Sequence, residues 1–324
     1  MTVSVCIPVY NRAAELDRAL RSVVQQTYSD LDIVVVDNAS TDDSHAVARQ
    51  YAAADSRVQV WRNPTLLGKV ENWQRCLEHA RGAYLKLLFS DDWLAPHAIE
   101  RAVTVLEARP QVGFVYSGMT WRHADRLSHC YVADADHTMG SLEFLHHSAT
   151  VADLVPVTTS CVLMRTADAH ALFEPRIPAR LADDTHAIGV GYSGMLLWRC
   201  ADRYPEVHHL GEVLAHSADL QTGEVNSRIR YRDRHEMLWW GHRNAFAHFV
   251  RTCSLPLAVQ RALVSTMFFS TVPLRGKERA ARMQTFRQLF PEFRIHHLRP
   301  THPQVFPHLR YRLGVPPDPQ EILS

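Results

Sequence analysis

The run Ile33-Val34-Val35-Val36 is apolar at every position and stops abruptly at Asp37-Asn38-Ala39-Ser40-Thr41-Asp42-Asp43. A strand apolar on successive residues is buried on both faces, the habit of a parallel sheet covered by helices. The polar stretch after it reads as a loop in which Ser40 or Thr41 caps a helix reaching about Ala54. Working outward, Val3 to Val9 is β-branched and apolar and ends in Tyr10-Asn11-Arg12. Between these strands Leu16, Ala19, Leu20, Val23 and Val24 form one stripe at helical spacing.

The same alternation continues toward the C-terminus. Arg57 to Trp61 reads as a third strand, Lys69 to Ala80 as a helix stopped near Gly82, and Tyr84 to Phe89 as a fourth strand. That strand runs into Ser90-Asp91-Asp92-Trp93. Pro96 opens a helix to about Ala108, and Val112 to Tyr116 is a fifth strand. Strand–helix alternation of this length predicts an α/β fold, a mostly parallel sheet with helices on both faces. Ligands bind such sheets at the carboxyl ends of the strands, so the three polar loops should converge there.

From about Ser117 the pattern is less regular. Pro156 to Met164 and Val207 to Leu214 read as strands, and Asp183 to Cys200 contains a helix weakened by Gly189, Gly191 and Gly194. Helical patterns follow at Tyr231 to Arg251, Pro256 to Phe269 and Lys277 to Leu289, then a proline-containing arm from Pro300. A boundary near residue 225 divides an α/β domain (1–225, with halves 1–118 and 119–225) from a helical extension (226–324).

With 35 Lys+Arg against 34 Asp+Glu, the chain of 324 residues lacks the basic excess of a general polyanion binder. Its 46% hydrophobic content excludes a disordered chain. The six cysteines show no C-x-x-C spacing, which removes zinc-ribbon and thioredoxin readings. The most apolar stretch, Leu255 to Leu274, is interrupted by Pro256, Gln260 and Arg261 and is no membrane span. The N-terminus runs directly into a strand and has no basic leader, so a cytosolic location is expected. The many histidines are scattered and read as surface residues.

Asp91-Asp92 at the end of a buried strand is the strongest chemical feature. Adjacent carboxylates repel unless a cation or hydrogen-bond donors offset them. Mg²⁺ or Mn²⁺ takes one or two carboxylates and completes its shell with substrate phosphates; the plain alternative is a solvated turn capping the next helix. Asp37 after its strand also suggests a haloacid-dehalogenase-type nucleophile, but Ala39 stands where that chemistry needs an acid. No G-x-G-x-x-G or P-loop follows any strand. Tyr10-Asn11-Arg12 is not the glycine-rich basic loop of a sugar nucleotidylyltransferase.

Val3-Ser4-Val5-Cys6-Ile7-Pro8-Val9-Tyr10-Asn11, Gln26-Thr27-Tyr28 and Val36-Asp37-Asn38-Ala39-Ser40-Thr41-Asp42 together resemble the opening of family 2 glycosyltransferases of the GT-A fold. Asn72-Trp73, Gly82-Ala83-Tyr84 and Ser90-Asp91-Asp92-Trp93-Leu94 resemble one branch of that family. The resemblance is strong over 1–118, partial to about 217 and absent beyond. It implies inverting transfer of a sugar from a nucleotide diphosphate, UDP- or dTDP-linked by preference, to an acceptor hydroxyl.

By that resemblance Pro8, Tyr10 and Asn11 line the nucleotide pocket, the Tyr10 ring offering a face for stacking. The family's pair of acids in the second loop is here Asp37-Asn38, and the Asn38 carbonyl is expected to accept from the base N–H. Lys69 is a candidate partner of the diphosphate. Asp92 is expected to ligate Mn²⁺ or Mg²⁺, with Asp91 on the ribose or the metal's water shell; Phe89 replaces the family's usual acid two residues earlier. The general base is expected at Asp184, with Asp183 second. A rival alignment on Leu197-Trp198-Arg199 puts Ser193 there instead. After Val213-Leu214-Ala215 the family has a histidine, and by the resemblance His216 or Asp219 is the candidate substitute.

Acceptors consistent with the resemblance are saccharides, lipid-linked glycans and small natural products. Arg228, Arg230, Arg232 and Arg234 alternate near Tyr231, but Asp233 and Glu236 interrupt the basic run, so no nucleic-acid partner is expected. An amphipathic helix here would pack on the catalytic domain or pair two copies in a homodimer, with contact to the inner membrane face as a further option. The contrasting functional class is a catalytically silent nucleotide-sugar-binding or scaffold subunit, which the loss of the acid at Phe89 would suit.

Overall fold

A computed structural model of the chain describes residues 1–123, 126–150, 155–178, 189–217, 231–271, 284 and 286–291. The first half runs β1 (Val3–Val9), α1 (Ala13–Val24), β2 (Leu31–Asp37), α2 (Ser44–Ala54), β3 (Val58–Arg62), α3 (Lys69–His79) and β4 (Tyr84–Leu87). Then come β5 (Asp92–Leu94), α4 (Ala98–Ala108), β6 (Val112–His123), β7 (Arg126–Cys130), β8 (His137–Gly140) and α5 (Ser141–Thr150). The remainder is β9 (Val162–Arg165), α6 (Thr166–Leu172), α7 (Tyr192–Arg203), β10 (Glu206–Ser217), α8 (Tyr231–Thr252) and α9 (Leu257–Thr271).

Every residue of β1 is buried, as a strand apolar on both faces requires. On α1 the buried positions are Leu16, Ala19, Leu20 and Val23, the stripe read from the sequence. One sheet runs in the order β3-β2-β1-β4-β9-β6-β10-β5, with β7 added to β6 and β8 to β10. Strands β3, β2, β1 and β4 are mutually parallel. The steps β1→β2→β3 go one way across the sheet, and right-handed crossovers place α1 and α2 on the same face, where they touch. The step β3→β4 returns the other way, which puts α3 on the opposite face against β1 and β2.

Beyond β4 the sheet becomes mixed. Strand β9 is antiparallel to β4 and β6, and β5 is antiparallel to β10. Asp92, read from sequence as part of the Ser90-Asp91-Asp92 loop, therefore opens an edge strand: Ser217 pairs Asp92 and His216 pairs Trp93. The strand expected from Pro156 is shorter and begins at Val162. Of the helix expected between Asp183 and Cys200, the described part begins at Tyr192, after Gly189 and Gly191, both at positive φ; residues 183–188 lie outside the described residues. Helix α8 packs on α7, with Phe246 and Phe249 against Trp198, and α9 packs on α5. The helix expected at 277–289 lies largely outside the described residues, as does the arm from 300.

Candidate functional site

The carboxyl ends of β1, β2 and β3 meet at the register Val9–Asp37–Arg62. Asn11, in the left-handed region at φ 50°, turns the chain out of β1. Its Oδ1 accepts from the Thr41 N–H at 2.8 Å, and its own N–H donates to Ser40 Oγ at 3.0 Å. The Arg12 N–H donates to Ser44 Oγ (2.8 Å) and the Ala13 N–H to Asp42 Oδ2 (3.1 Å). Two backbone donors at the start of α1 are thus satisfied from the second loop and the first residue of α2. Ser40, expected to cap α2, instead serves the β1–α1 turn, and it is Asp42 Oδ1 that accepts from the Ser44 N–H at the start of α2, at 3.0 Å.

Asp37 is fully buried. Its Oδ1 accepts from the Ser40 N–H at 3.0 Å, while Oδ2 faces Arg62 Nε at 3.1 Å and His45 Nδ1 at 3.4 Å. Arg62 also donates to the Ser40 carbonyl at 2.8 Å. Asp37 therefore holds the loop in place from beneath, and Arg62, not singled out by sequence, carries charge to the rim. Its only sequence signal is its place at the end of β3. Asn38 is buried too, and its Oδ1 already accepts from the Leu67 N–H (3.0 Å) and from Asn63 Nδ2 (2.9 Å). The expected free acceptor for a base N–H is consequently not available on Asn38, since an amide oxygen has two lone pairs. Pro8 is buried in β1, and Tyr10 stands partly exposed after it.

Asp91 reaches Arg12 across the loops, Oδ2 to Nη1 at 3.3 Å. Asp92 is buried, and its carboxylate is held by the hydroxyls of Ser160 and Ser217. Burial, and then the charge of Asp91, pushes its pKa up to about 7; the two hydroxyls and Arg12 offset only part of this. Arg12, Lys69 and the buried Lys86 all lie close enough to interact with these acids, yet burial dominates at Asp92, and two adjacent carboxylates in that position fit a further cation. Two acidic oxygen donors, with phosphate and water completing the shell, are a Mg²⁺ or Mn²⁺ set. Among the described residues no cluster of three His, Cys, Asp or Glu side chains adds further ligands. Ser160 and Ser217 escaped the sequence reading because β10 and the β9 approach bring them in from far along the chain.

Lys69 opens α3 with its Nζ 5.9 Å over the Trp73 ring, and Trp73 stacks on Phe89 at 4.9 Å. Gly189 lies against this pair: a Cβ on it would stand 2.8 Å from Trp73 Cη2 and 3.4 Å from Lys69 Cδ. Asp183 and Asp184 lie outside the described residues, and Gly189 follows Asp184 by five positions. Ser193, the rival, is buried in the first turn of α7. His216 stacks on Trp93 at 5.4 Å, one register step from the Ser217–Asp92 pair; Asp219 is outside the described residues.

The model of glycosyl transferase family 2 matches residues 4–150. This segment belongs to glycosyltransferase family 2. An uncharacterized glycosyltransferase of Nostoc is 36% identical to the family 2 segment over 118 residues, which are 36% of this chain and 36% of that protein. The chain thus matches little more than a third of that relative's own length. Among solved structures, S. aureus TarS 1–349 in complex with UDP-GlcNAc aligns at TM-score 0.63 and 16% identity, covering 90% of this chain and 82% of that one. The mannosyltransferase PcManGT from Pyrobaculum calidifontis, in complex with GDP-Man and Mn²⁺, aligns at TM-score 0.52 and 17% identity, covering 97% and 83%. At such identities the likeness is one of fold, and the fold of this chain is of the GT-A type.

Proposed function

We propose that the chain moves a glycosyl group from a nucleoside diphosphate-sugar to an acceptor hydroxyl, inverting the anomeric carbon. The observation that carries this reading is Asp91-Asp92, one acid at the surface and one buried, facing Arg12 at the strand ends of a family 2 segment. Pro8 and Tyr10 wall the base and Asn11 fixes the turn beneath it, while Asp37 braces the pocket through Ser40 and Arg62. Lys69 stands at the rim for the diphosphate, Asp91 serves the ribose, and Asp92 with Asp91 holds the divalent cation. A bound Mg²⁺ or Mn²⁺ would supply charge to offset that developing on the departing diphosphate.

Asp184, or Asp183 beside it, takes the acceptor's proton as the hydroxyl oxygen bonds to the anomeric carbon and the bond to the diphosphate oxygen breaks. Gly189, five positions after Asp184, lies against Trp73 and Lys69, which supports this assignment. UDP-GlcNAc bound to the neighbour TarS favours a pyrimidine donor here. The acceptor is a saccharide, a lipid-linked glycan or a small natural product, met in the cytosol or at the membrane's inner face. No helix among the described residues is long and apolar enough to cross a membrane. The α8–α9 region is the surface for pairing two copies.

Calorimetry with UDP in Mn²⁺ and in chelator tests the reading: affinity should depend on the metal, and slow release of UDP from a UDP-sugar in water should accompany it. Equal affinity in both buffers would remove the cation. Binding without any donor hydrolysis or transfer would favour the silent subunit.

A further inference from the structure

Three buried asparagines stand at the end of β2. Asn38 Nδ2 donates to the Leu67 carbonyl at 2.9 Å, and Asn38 Oδ1 accepts from the Leu67 N–H at 3.0 Å. Asn63 Nδ2 gives one hydrogen to Asn38 Oδ1 at 2.9 Å and the other to Asn72 Oδ1 at 2.8 Å. Asn72 Nδ2 in turn reaches the Val36 carbonyl at 3.4 Å. The backbone adds Asn63 N–H to the Asp37 carbonyl (2.9 Å) and Asn72 N–H to the Gly68 carbonyl (3.0 Å).

The orientation of the Asn38 amide is fixed by Leu67. Turning it over would set donor against donor and acceptor against acceptor. Both lone pairs of Asn38 Oδ1 are therefore committed. An aspartate in its place would lose the donor to Leu67 and set a carboxylate against a carbonyl. The segment it clamps, 63–68, has no helix or strand of its own, exposes Pro64, Thr65 and Leu66, and leaves the carboxyl end of β3, where Arg62 is in register with Asp37 and Val9 just before Tyr10.

Building on the donor reading above, we infer that Asn38 is a positioning residue: it clamps segment 63–68 to the end of β2, and the clamped segment, not the Asn38 carbonyl, selects the nucleobase. The Asn38→Asp variant separates the two possibilities by sign. An acid that read the base would grip a pyrimidine N–H more tightly through charge assistance. An acid that breaks the clamp loosens the selecting wall.

The test measures UDP and GDP dissociation constants in Mn²⁺ on the full chain, with amide exchange at Leu67, for wild type, Asn38→Asp and Asn63→Ala. The clamp predicts that the preferred nucleotide weakens about tenfold in either variant, the scale of one hydrogen bond. The ratio of the two affinities should fall toward one, and Leu67 exchange should accelerate. A UDP:GDP ratio that rises or stays unchanged in Asn38→Asp overturns the inference, and Asn63→Ala decides by the same ratio and exchange should Asn38→Asp not fold. Wild type that binds neither nucleotide overturns the donor reading itself, a different result from binding with unaltered selectivity.

Discussion

The Arg12 guanidinium lies 3.3 Å from Asp91 Oδ2, so the loop after β1 supplies positive charge to the acidic loop after β4. A divalent cation at Asp91-Asp92, as proposed, would compete with that guanidinium for the same carboxylates. In Arg12→Gln, Mn²⁺ titrated without nucleotide should bind several-fold more tightly. Stability should fall by no more than about 1 kcal/mol, the range of a partly exposed ion pair. Unchanged or weaker Mn²⁺ binding would show that Arg12 and the cation do not share Asp91.

Asp92→Asn should separate binding from stability. Burial disfavours the charged form of Asp92, while the buried Lys86 close by favours it, so the amide should leave the metal-free melting temperature close to that of wild type. The same variant should lose most of the metal-dependent gain in UDP affinity, because a charged oxygen ligand is gone. Thermal melts in chelator and calorimetry with and without Mn²⁺ measure the two effects.

Gly189→Ala should be costly for two reasons. The residue sits at φ +69°, and an added Cβ would stand 2.8 Å from Trp73 Cη2. Left-handed backbone at a residue with a side chain costs on the order of 1–3 kcal/mol. Chemical denaturation should show a loss of that order, and transfer activity should fall with it. A variant as stable and active as wild type would mean that Gly189 does not seat on Trp73.

His209 makes stability depend on pH. Its ring is buried, stacks on Tyr116 at 4.3 Å and bonds through Nε2 to the Tyr131 carbonyl at 2.7 Å. Burial lowers its pKa from 6.5 to about 4. Between those values the unfolded chain takes up a proton that the folded chain refuses. Stability from this group is therefore complete above pH 6.5 and is lost as pH falls toward 4, by about 1.4 kcal/mol per unit. Urea melts across that window should be flatter in His209→Gln than in wild type.

Asp184→Asn should leave the donor dissociation constant unchanged and slow single-turnover transfer by about 10²-fold or more, the scale for removing a general base. Asp183→Asn is the comparison, and Ser193→Ala should turn over like wild type. Wild-type rates in both Asp variants would make these acids helix caps or loop residues and send the search for the base elsewhere.

Much of this was legible in the chain. The alternation of Val3–Val9, the Leu16–Val23 stripe and Ile33–Val36 carried the parallel strands and their helices, because burial on one face or two leaves a period in the residues themselves. The loops at Asn11, Asp37 and Asp91 were legible for the same reason, since strand ends in such a sheet share one side. Not legible was what each side chain does there. Ser40 was a fair cap for its own helix by local spacing, yet it faces Asn11 across the loop. Asn38 had the right chemistry for a base acceptor, but Leu67 and Asn63 take both of its lone pairs.

Sequence alone determined the order of elements, the face each helix buries and the loops that make the site, since these follow from local periodicity and the handedness of crossovers. Only the tertiary structure decided that Asp92 belongs to a strand paired with β10, that Ser160 and Ser217 hold its carboxylate, and that Gly189 seats on Trp73. These contacts join residues tens to more than a hundred positions apart. Hydrogen bonding and close packing between such partners depend on where the whole sheet places them, and no local pattern in the chain records it.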